Sequence, residues 1–488
     1  MKQILINVEP YEKRVAIIHG NVLEEFRIER TGQLRLAGNI YKGIIDSVVP
    51  GIGALFVNIG TGKNGFLYID DVEEKSFHSL LGEEIEFEKK TPRERLKKGQ
   101  EILVQVVKEP IGTKGPLLTT DISLPGKYVV LMPFNKTVGI SKRIEKREER
   151  MRLKSVLETL FIKRGLGCIA RTESTGVSSR HLALESKYLM NLWGRVQKRA
   201  THQKTPSVIY EEYDLPLRVI RDYLAEDVSK ILVDSKEEYK KIARFANIIH
   251  PSLKKKIFFY RDQVPLYEKF NIEDQIEKVF RRKILLKSGG SIVIEQTEGL
   301  VAIDVNTGRY TGKKNPEETV FKTNMEASQE IAKQIMLRDV GGIIVIDFID
   351  MHEKVHRRNV YDSLSEAFKR DKAKIKIFAI SSIGLIEMTR QRVRKSLESV
   401  SFRECPYCNG MGRVKTPATI AIGCMRRLER SLREKKRTRQ IFIVIHPDVA
   451  DHMETSFKNV ISTLERKFRK KISIKADPKL HVEEVYFE

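Results

Sequence analysis

Residues 289–308 read GGSIVIEQTEGLVAIDVNTG, and residues 341–350 read GGIIVIDFID. Their relation decides the fold. The first stretch predicts two strands, and the second predicts an almost wholly apolar one. Between them, residues 316–339 place Val320, Asn324, Ser328, Ile331 and Ile335 near helical spacing. Residues 356–371 then put Val360, Leu364, Ala367 and Phe368 on one helical face, and IKIFAIS (375–381) predicts a further strand. Strand, helix, strand, helix, strand implies β-α-β crossovers and a buried, largely parallel sheet.

Two acidic residues take equivalent places in that pattern. Asp304 ends GLVAID and Asp347 ends GGIIVID. Ligands of open α/β sheets bind beyond the carboxyl ends of the strands. Two carboxylates converging there suit Mg²⁺, which takes one or two carboxylates and keeps several waters. Asn306 lies two residues after Asp304, on the same side of an extended segment, and can orient a ligand. Asp350 is a further candidate. Both aspartates also fit a plainer role as caps of the turns or helices that follow. HEKVH (352–356) has the spacing of a zinc-protease helix, but it lies directly after a strand end, where a helix is only starting.

Working outward, the chain has 488 residues, enough for several domains. Lys and Arg total 89 against 65 Asp and Glu, a net charge of +24. Such an excess attracts polyanions, nucleic acid first and an anionic membrane surface second. No strongly amphipathic basic terminal helix stands out, which favours nucleic acid. No stretch approaches the length of a membrane span. Residues 1–18 read as strands rather than a leader. Four cysteines, two of them clustered, argue against a disulfide framework and for a reducing cytoplasm.

Residues 1–35 predict a β-hairpin and a following strand. From Gly38 onward, GNIYKGIIDSVV, GALFVNIG, KNGFLYI and EILVQVVKEP predict the short strands of an OB-type barrel. Phe56 and Phe66 fall on successive strands and Lys114 in the loop GTKGP, a combination suited to stacking on single-stranded bases, although both rings also fit a core. GTGKNG (60–65) has dinucleotide-motif spacing but is followed by FLYID, a strand, so it predicts a turn. Residues 125–210 mix strands with two long helices, and LGCIARTES (166–174) is a strand that runs into Arg171 and Thr172. An α/β module follows to about residue 280. CPYCNG (405–410) pairs Cys405 with Cys408 in a turn with Pro406 and Gly410. Cysteines so spaced suit metal thiolates or redox chemistry, but a closed zinc site needs four ligands.

VAIDVNTGRYTG, GGIIVIDFIDM, GLIEMTRQR and CPYCNGMG, in this order, resemble the ribonuclease E/G family of bacterial endoribonucleases, and the resemblance runs along nearly the whole chain. It implies a multidomain α/β and α+β protein. A ribonuclease-H-like fold is split between 1–36 and 215–280. An OB-fold RNA-binding domain (37–124) and a 5′-sensor (125–214) are inserted in it. A deoxyribonuclease-I-like catalytic domain (281–400), a zinc-link (401–416) and a small C-terminal domain (417–488) follow. Larger members carry a long arginine-rich scaffold; this chain stops at residue 488 without one, so it resembles the shorter members.

The resemblance also implies roles. Asp304 and Asp347 hold catalytic Mg²⁺ with support from Asn306. Phe56, Phe66 and Lys114 grip RNA. Arg171 and Thr172 hold a 5′-monophosphate, with Gly126 and Val130 beside it; arginine binds phosphate bidentately. Cys405 and Cys408 supply half of a tetrahedral Zn²⁺ shared by two chains, in a homodimer or dimer of dimers. The implied activity is Mg²⁺-dependent endonucleolytic cleavage of single-stranded RNA, leaving 5′-phosphate and 3′-hydroxyl ends, in ribosomal RNA processing and messenger decay. Ser382 and Ile383 stand where the family often has a basic residue. The barrel and charge alone would equally suit a non-catalytic RNA-binding assembly factor or chaperone.

Overall fold

A computed structural model describes residues 1–32, 35–72, 96–110, 114–225, 227–297, 299–308, 316–371, 373–381, 383–391, 397–434 and 438–488. The chain divides into two compact units, 1–397 and 398–488.

The first thirty residues form the expected hairpin and following strand, as part of a larger sheet. Strands Lys2–Val8, Glu12–His19 and Val22–Arg30 run antiparallel, and Lys2–Val8 pairs in parallel with Val228–Val233, which pairs in parallel with Ile257–Phe259. The sheet unites two segments about two hundred residues apart in sequence. Ile4, Ile6, Val15 and Ile17 meet Val219, Ile220, Ile242 and Phe245 from helices Leu215–Tyr223 and Lys236–Ile249 on one face. Leu5, Ala16 and Ile18 pack with Leu266, Tyr267 and Ile276 in a second core, as strand alternation requires.

Between those segments lies a closed barrel. Ile40–Val49 pairs with both Ala54–Asn58 and Glu101–Lys108, and the circuit runs through Gly65–Tyr68 and Leu117–Thr119. Leu55, Val57, Leu67, Ile102 and Val104 fill its interior. GTGKNG is the turn between two barrel strands, with Gly60 and Gly62 at positive φ. The next sheet, from Leu124–Pro125 to Gly167–Ala170, packs on helices Arg147–Phe161 and Ser179–His202 through Leu131, Leu157, Leu189 and Trp193.

The last sheet of the large unit corrects the expectation of a buried, largely parallel sheet. Its order is 283–285, 291–296, 300–306, 342–347, 385–390, 375–377, and only the pair Leu300–Asn306 with Gly342–Asp347 is parallel. One crossover, through helix Pro316–Arg338, makes that pair; the other neighbours join antiparallel. One face carries Val301, Ile303, Val305, Ile344 and Ile346 into a core shared with helices Pro316–Arg338 and Lys354–Phe368. The opposite face is open: Ala302, Asp304 and Asn306 are exposed, and Ile343 is 53% exposed. The run GGIIVID is apolar throughout, which conceals that alternate side chains face outward.

In the small unit, Gln440–Ile445 pairs in parallel with Lys471–Ala476 and antiparallel with Val485–Phe487. Helix Pro417–Glu434 supplies Cys424 and Leu428 to its core, and helix Pro447–Ser456 supplies Met453. No described helix is long and apolar enough to cross a membrane.

Candidate active site and RNA interface

Asp304 and Asp347 are register partners across the parallel strand pair, at its carboxyl end and on the open face. Asn306 follows on the same face, and its Nδ2 donates to Asp304 Oδ2 at 2.6 Å. One oxygen of Asp304 is thereby oriented and the other left for a ligand. Burial pushes the Asp347 carboxyl above the usual aspartate range, reinforced by the negative charges of Asp304 and Asp350. A site that raises a carboxyl through neighbouring carboxylates is one where a divalent cation relieves repulsion, so the residues fit Mg²⁺. No group of three or more His, Cys, Asp or Glu able to hold a metal occurs among the described residues. A hard cation bound here would therefore keep much of its coordination for water or phosphate.

The loop carrying Asp350 is held by a residue that the helical pattern showed only as a polar member of an apolar stripe. Asn324 is fully buried; its Nδ2 donates to Ile349 O at 2.8 Å, and its Oδ1 accepts from Ile349 N at 3.2 Å. A single amide thus fixes the backbone two residues beyond Asp347. Glu317, on the same helix, accepts the backbone N–H groups of His352 and Glu353 and lies 3.1 Å from His356 Nδ1. His352 precedes helix Lys354–Phe368, and His356 stacks on Phe321 at 4.2 Å. HEKVH therefore anchors a loop and lacks the mid-helix geometry of a zinc protease. Ile383 is 71% exposed, whereas Ser382 lies outside the described residues.

On the barrel, Phe56 and Phe66 pair across adjacent strands with ring centroids 5.8 Å apart. Both are half-buried on the outer face while Leu55, Val57 and Leu67 point inward. Tyr68, two residues beyond Phe66 and 49% exposed, extends the row at 4.9 Å. Period-two spacing from Phe66 was the available signal for this third ring. Lys114 is exposed and begins the segment that runs beside Phe66: Pro116 O accepts from Phe66 N, and a β-carbon at Gly115 would lie 1.9 Å from Asn64 O.

The residues around Arg171 form a third cluster. Arg171 Nη1 donates to Gly126 O and to Asp222 Oδ1, the latter at 2.9 Å, and Ser141 Oγ lies 3.2 Å from Thr172 Oγ1. Burial opposes ionisation of Asp222, yet Arg221 and Arg171 hold its carboxyl below the usual range. Gly126 closes a turn against Val129, where a β-carbon would sit 2.7 Å from Val129 O and 2.8 Å from the Glu185 carboxylate. Glu185, 3% exposed, accepts the backbone N–H groups of Lys127, Tyr128 and Val129. Val130, half-buried, follows on the strand paired with Ile169. Glu185 and Asp222 come from distant helices, and nothing local in the sequence marks either.

Cys405 and Cys408 lie in a turn that ends well before helix Pro417–Glu434. Backbone N–H groups of Cys408 and Tyr407 point at the Cys405 sulfur and hold its thiol below the usual range. Gly412 N donates to Cys408 Sγ at 3.2 Å, and Asn409, Gly410 and Gly412 adopt positive φ. A knuckle of N–H groups around two accessible sulfurs suits metal thiolates. The remaining cysteines are excluded: burial pushes the thiol of Cys168 up to about 12 and that of Cys424 up to about 11.

Comparisons with known proteins cover nearly the whole chain. The Ribonuclease E/G family profile matches residues 123–393, the S1 RNA binding domain matches 36–115, and the thioredoxin-like domain of RNase E/G matches 404–488. Ribonuclease G of Escherichia coli K12 is 39% identical over 476 residues, 98% of this chain and 97% of that protein. Ribonuclease G of Haemophilus influenzae is 42% identical over 428 residues, 88% of this chain and 87% of that protein. Ribonuclease E of Escherichia coli K12 is 38% identical over 472 residues, 95% of this chain but 44% of that protein. With its barrel, its paired strand-end aspartates and near full-length similarity to ribonucleases G, the chain belongs to the ribonuclease E/G family of endoribonucleases.

Proposed function

We propose that this endoribonuclease cleaves single-stranded RNA at the open face of the sheet carrying Asp304 and Asp347, with Mg²⁺ as cofactor. The observation that carries the reading is the register pairing of the two aspartates on an exposed face, one oriented by Asn306 and the other with its carboxyl raised by burial and by its acidic neighbours. Asp304 and Asp347 would hold the ion; when bound it supplies Lewis-acid stabilisation of charge on the scissile phosphate. Asn306 keeps Asp304 in one orientation, and Asn324 keeps the Asp350 loop in place. An exposed face admits an extended strand without requiring it to enter a cavity.

Phe56, Phe66 and Tyr68 offer stacking surfaces for successive bases, and Lys114 offers a charge to the backbone. Arg171 and Thr172, with Gly126 and Val130, receive a 5′-monophosphate; Arg171 Nη1 is occupied by Asp222 and Gly126, and its Nε and Nη2 make no hydrogen bond among the described residues. Cys405 and Cys408 form a half-site for a Zn²⁺ completed by a second chain, giving a homodimer or dimer of dimers. The split N-terminal sheet corresponds to the ribonuclease-H-like part, 37–124 to the RNA-binding barrel, 125–214 to the sensor, 281–400 to the catalytic part and 401–416 to the zinc-link. Cytoplasmic ribosomal RNA processing and messenger decay are the settings this chemistry suits.

A non-catalytic RNA-binding factor would need the barrel and the charge but gives the paired aspartates no task. End-group analysis of products tests the proposal: 5′-phosphate and 3′-hydroxyl ends formed only with Mg²⁺ support hydrolysis there, and 2′,3′-cyclic phosphate ends contradict it.

A further inference from the structure

The five-stranded sheet ends on strand Ile257–Phe259, which pairs on one side only among the described residues. Against this edge the helix Lys236–Ile249 leaves a groove of about 300 Å³, lined by Lys236, Tyr239, Lys240, Ile257, Phe258, Phe259 and Arg261. No acidic side chain lines it. Phe258 is 43% exposed, and Lys236, Lys240 and Arg261 are exposed. The rings of Tyr239 and Phe259 lie 6.1 Å apart, the Arg261 guanidinium sits 5.2 Å from the Phe259 centroid, and Lys230 Nζ sits 5.8 Å from that of Phe258. Glu237, beside Lys236 on the helix, is exposed but does not line the groove, and Asp262 is engaged by Lys269.

We propose that this groove is a second contact for single-stranded RNA, separate from the barrel and from the Asp304–Asp347 face. Two rings, Tyr239 and Phe259, beside three cations that make no ion pair among the described residues match what a single strand offers: π-faces from bases and a phosphate at each step. The one aliphatic lining residue, Ile257, is 4% exposed, so an aliphatic protein partner would find little to cover, and an acidic peptide would leave the rings without planar partners. Tyr239 and Phe259 stack a base, and Lys236, Lys240 and Arg261 contact the flanking phosphates. The groove thus lengthens the footprint, so it favours long substrates through binding and leaves the chemical step unchanged. The proposal rests on the reading of single-stranded RNA as substrate.

The test uses the full chain carrying Asp304→Asn, so that RNA survives. Fluorescence anisotropy compares a uridine-rich strand long enough to span several sites with one of about 8 nucleotides, within the site size of a single barrel. Tyr239→Ala, and separately the triple Lys236→Gln, Lys240→Gln, Arg261→Gln, should each weaken the long strand about fivefold or more and leave the short one unchanged. The loss from Tyr239→Ala should persist at high salt, while that from the triple variant shrinks. Photocrosslinking with 5-bromouracil should place adducts within 239–261. Unchanged affinity for the long strand, equal losses at both lengths, or competition by an acidic peptide but not by RNA would overturn the groove. If the parent protein binds neither strand, the RNA reading fails as well; if it binds both and the variants match it, only the groove fails.

Discussion

Asp347 stands directly opposite Asp304 across two parallel strands, with no ion pair to either carboxylate among the described residues, and its carboxyl is held above the usual range. A carboxyl with a raised folded-state pKa binds its proton more tightly in the folded chain than in the unfolded one. Stability therefore falls as pH rises through the interval between the two values, and the penalty is complete above the folded value. Asp347→Asn should melt higher than the parent protein at pH 7 in chelator, with the difference closing below the usual aspartate range. Mg²⁺ should raise the melting temperature of the parent and much less that of the variant. Scanning fluorimetry reads both, and a variant melting at or below the parent at pH 7 in chelator speaks against the paired-charge account.

Asn324 is expected to act as a positioning residue. Asn324→Ala strands the N–H and C=O of Ile349, at about 1–3 kcal/mol for each group left unpaired. The predicted outcome is a lower melting temperature together with a higher Mg²⁺ concentration for half-maximal cleavage. Asn324→Asp restores the acceptor but loses the donor, so it should recover part of the loss. A stability loss with unchanged Mg²⁺ dependence would make Asn324 a packing residue only.

Arg171 is engaged by Asp222 and Gly126 through one nitrogen. Arg171→Ala should remove the preference for a 5′-monophosphate over a 5′-hydroxyl RNA and leave the 5′-hydroxyl rate near that of the parent. Glu185→Gln should also weaken the preference, because that carboxylate organises three consecutive N–H groups next to Gly126. Equal rates on both RNAs in the parent protein would remove the sensor.

The Cys405–Cys408 knuckle predicts one zinc per two chains. Cys405→Ala with Cys408→Ala should abolish bound zinc, measured by elemental analysis, and halve the mass or reduce it further, measured by light scattering. Because the knuckle holds the Cys405 thiol low, zinc retention should persist to mildly acidic pH and be lost as the thiolates protonate. A double variant that keeps its mass contradicts the shared site.

Much of this was legible in the sequence because it is periodic or local. Alternation in the barrel strands, the helix between Asp304 and Asp347, the turn at GTGKNG and the knuckle around Cys405 all follow from nearest neighbours along the chain. The open face of the sheet carrying Asp304 and Asp347 did not: Ile343 and Val345 look like core, and only the topology shows that helices cover one side. The partners that aim functional groups were hidden for the same reason. Asn324 reaches Ile349 across a crossover, Glu185 reaches Gly126 from another helix, and Asp222 reaches Arg171 from a segment in the split sheet's half. Each contact depends on tertiary placement, which spacing does not encode.

The most direct test of the central claim is cleavage of a 5′-monophosphorylated, A/U-rich single-stranded oligomer by the parent protein, Asp304→Asn and Asp347→Asn, each shown to fold and to bind the RNA. The account predicts Mg²⁺-dependent scission by the parent and a loss of about 10²-fold or more in each variant, the scale of removing one preorganised charge-stabilising group. Full activity in both variants would contradict it.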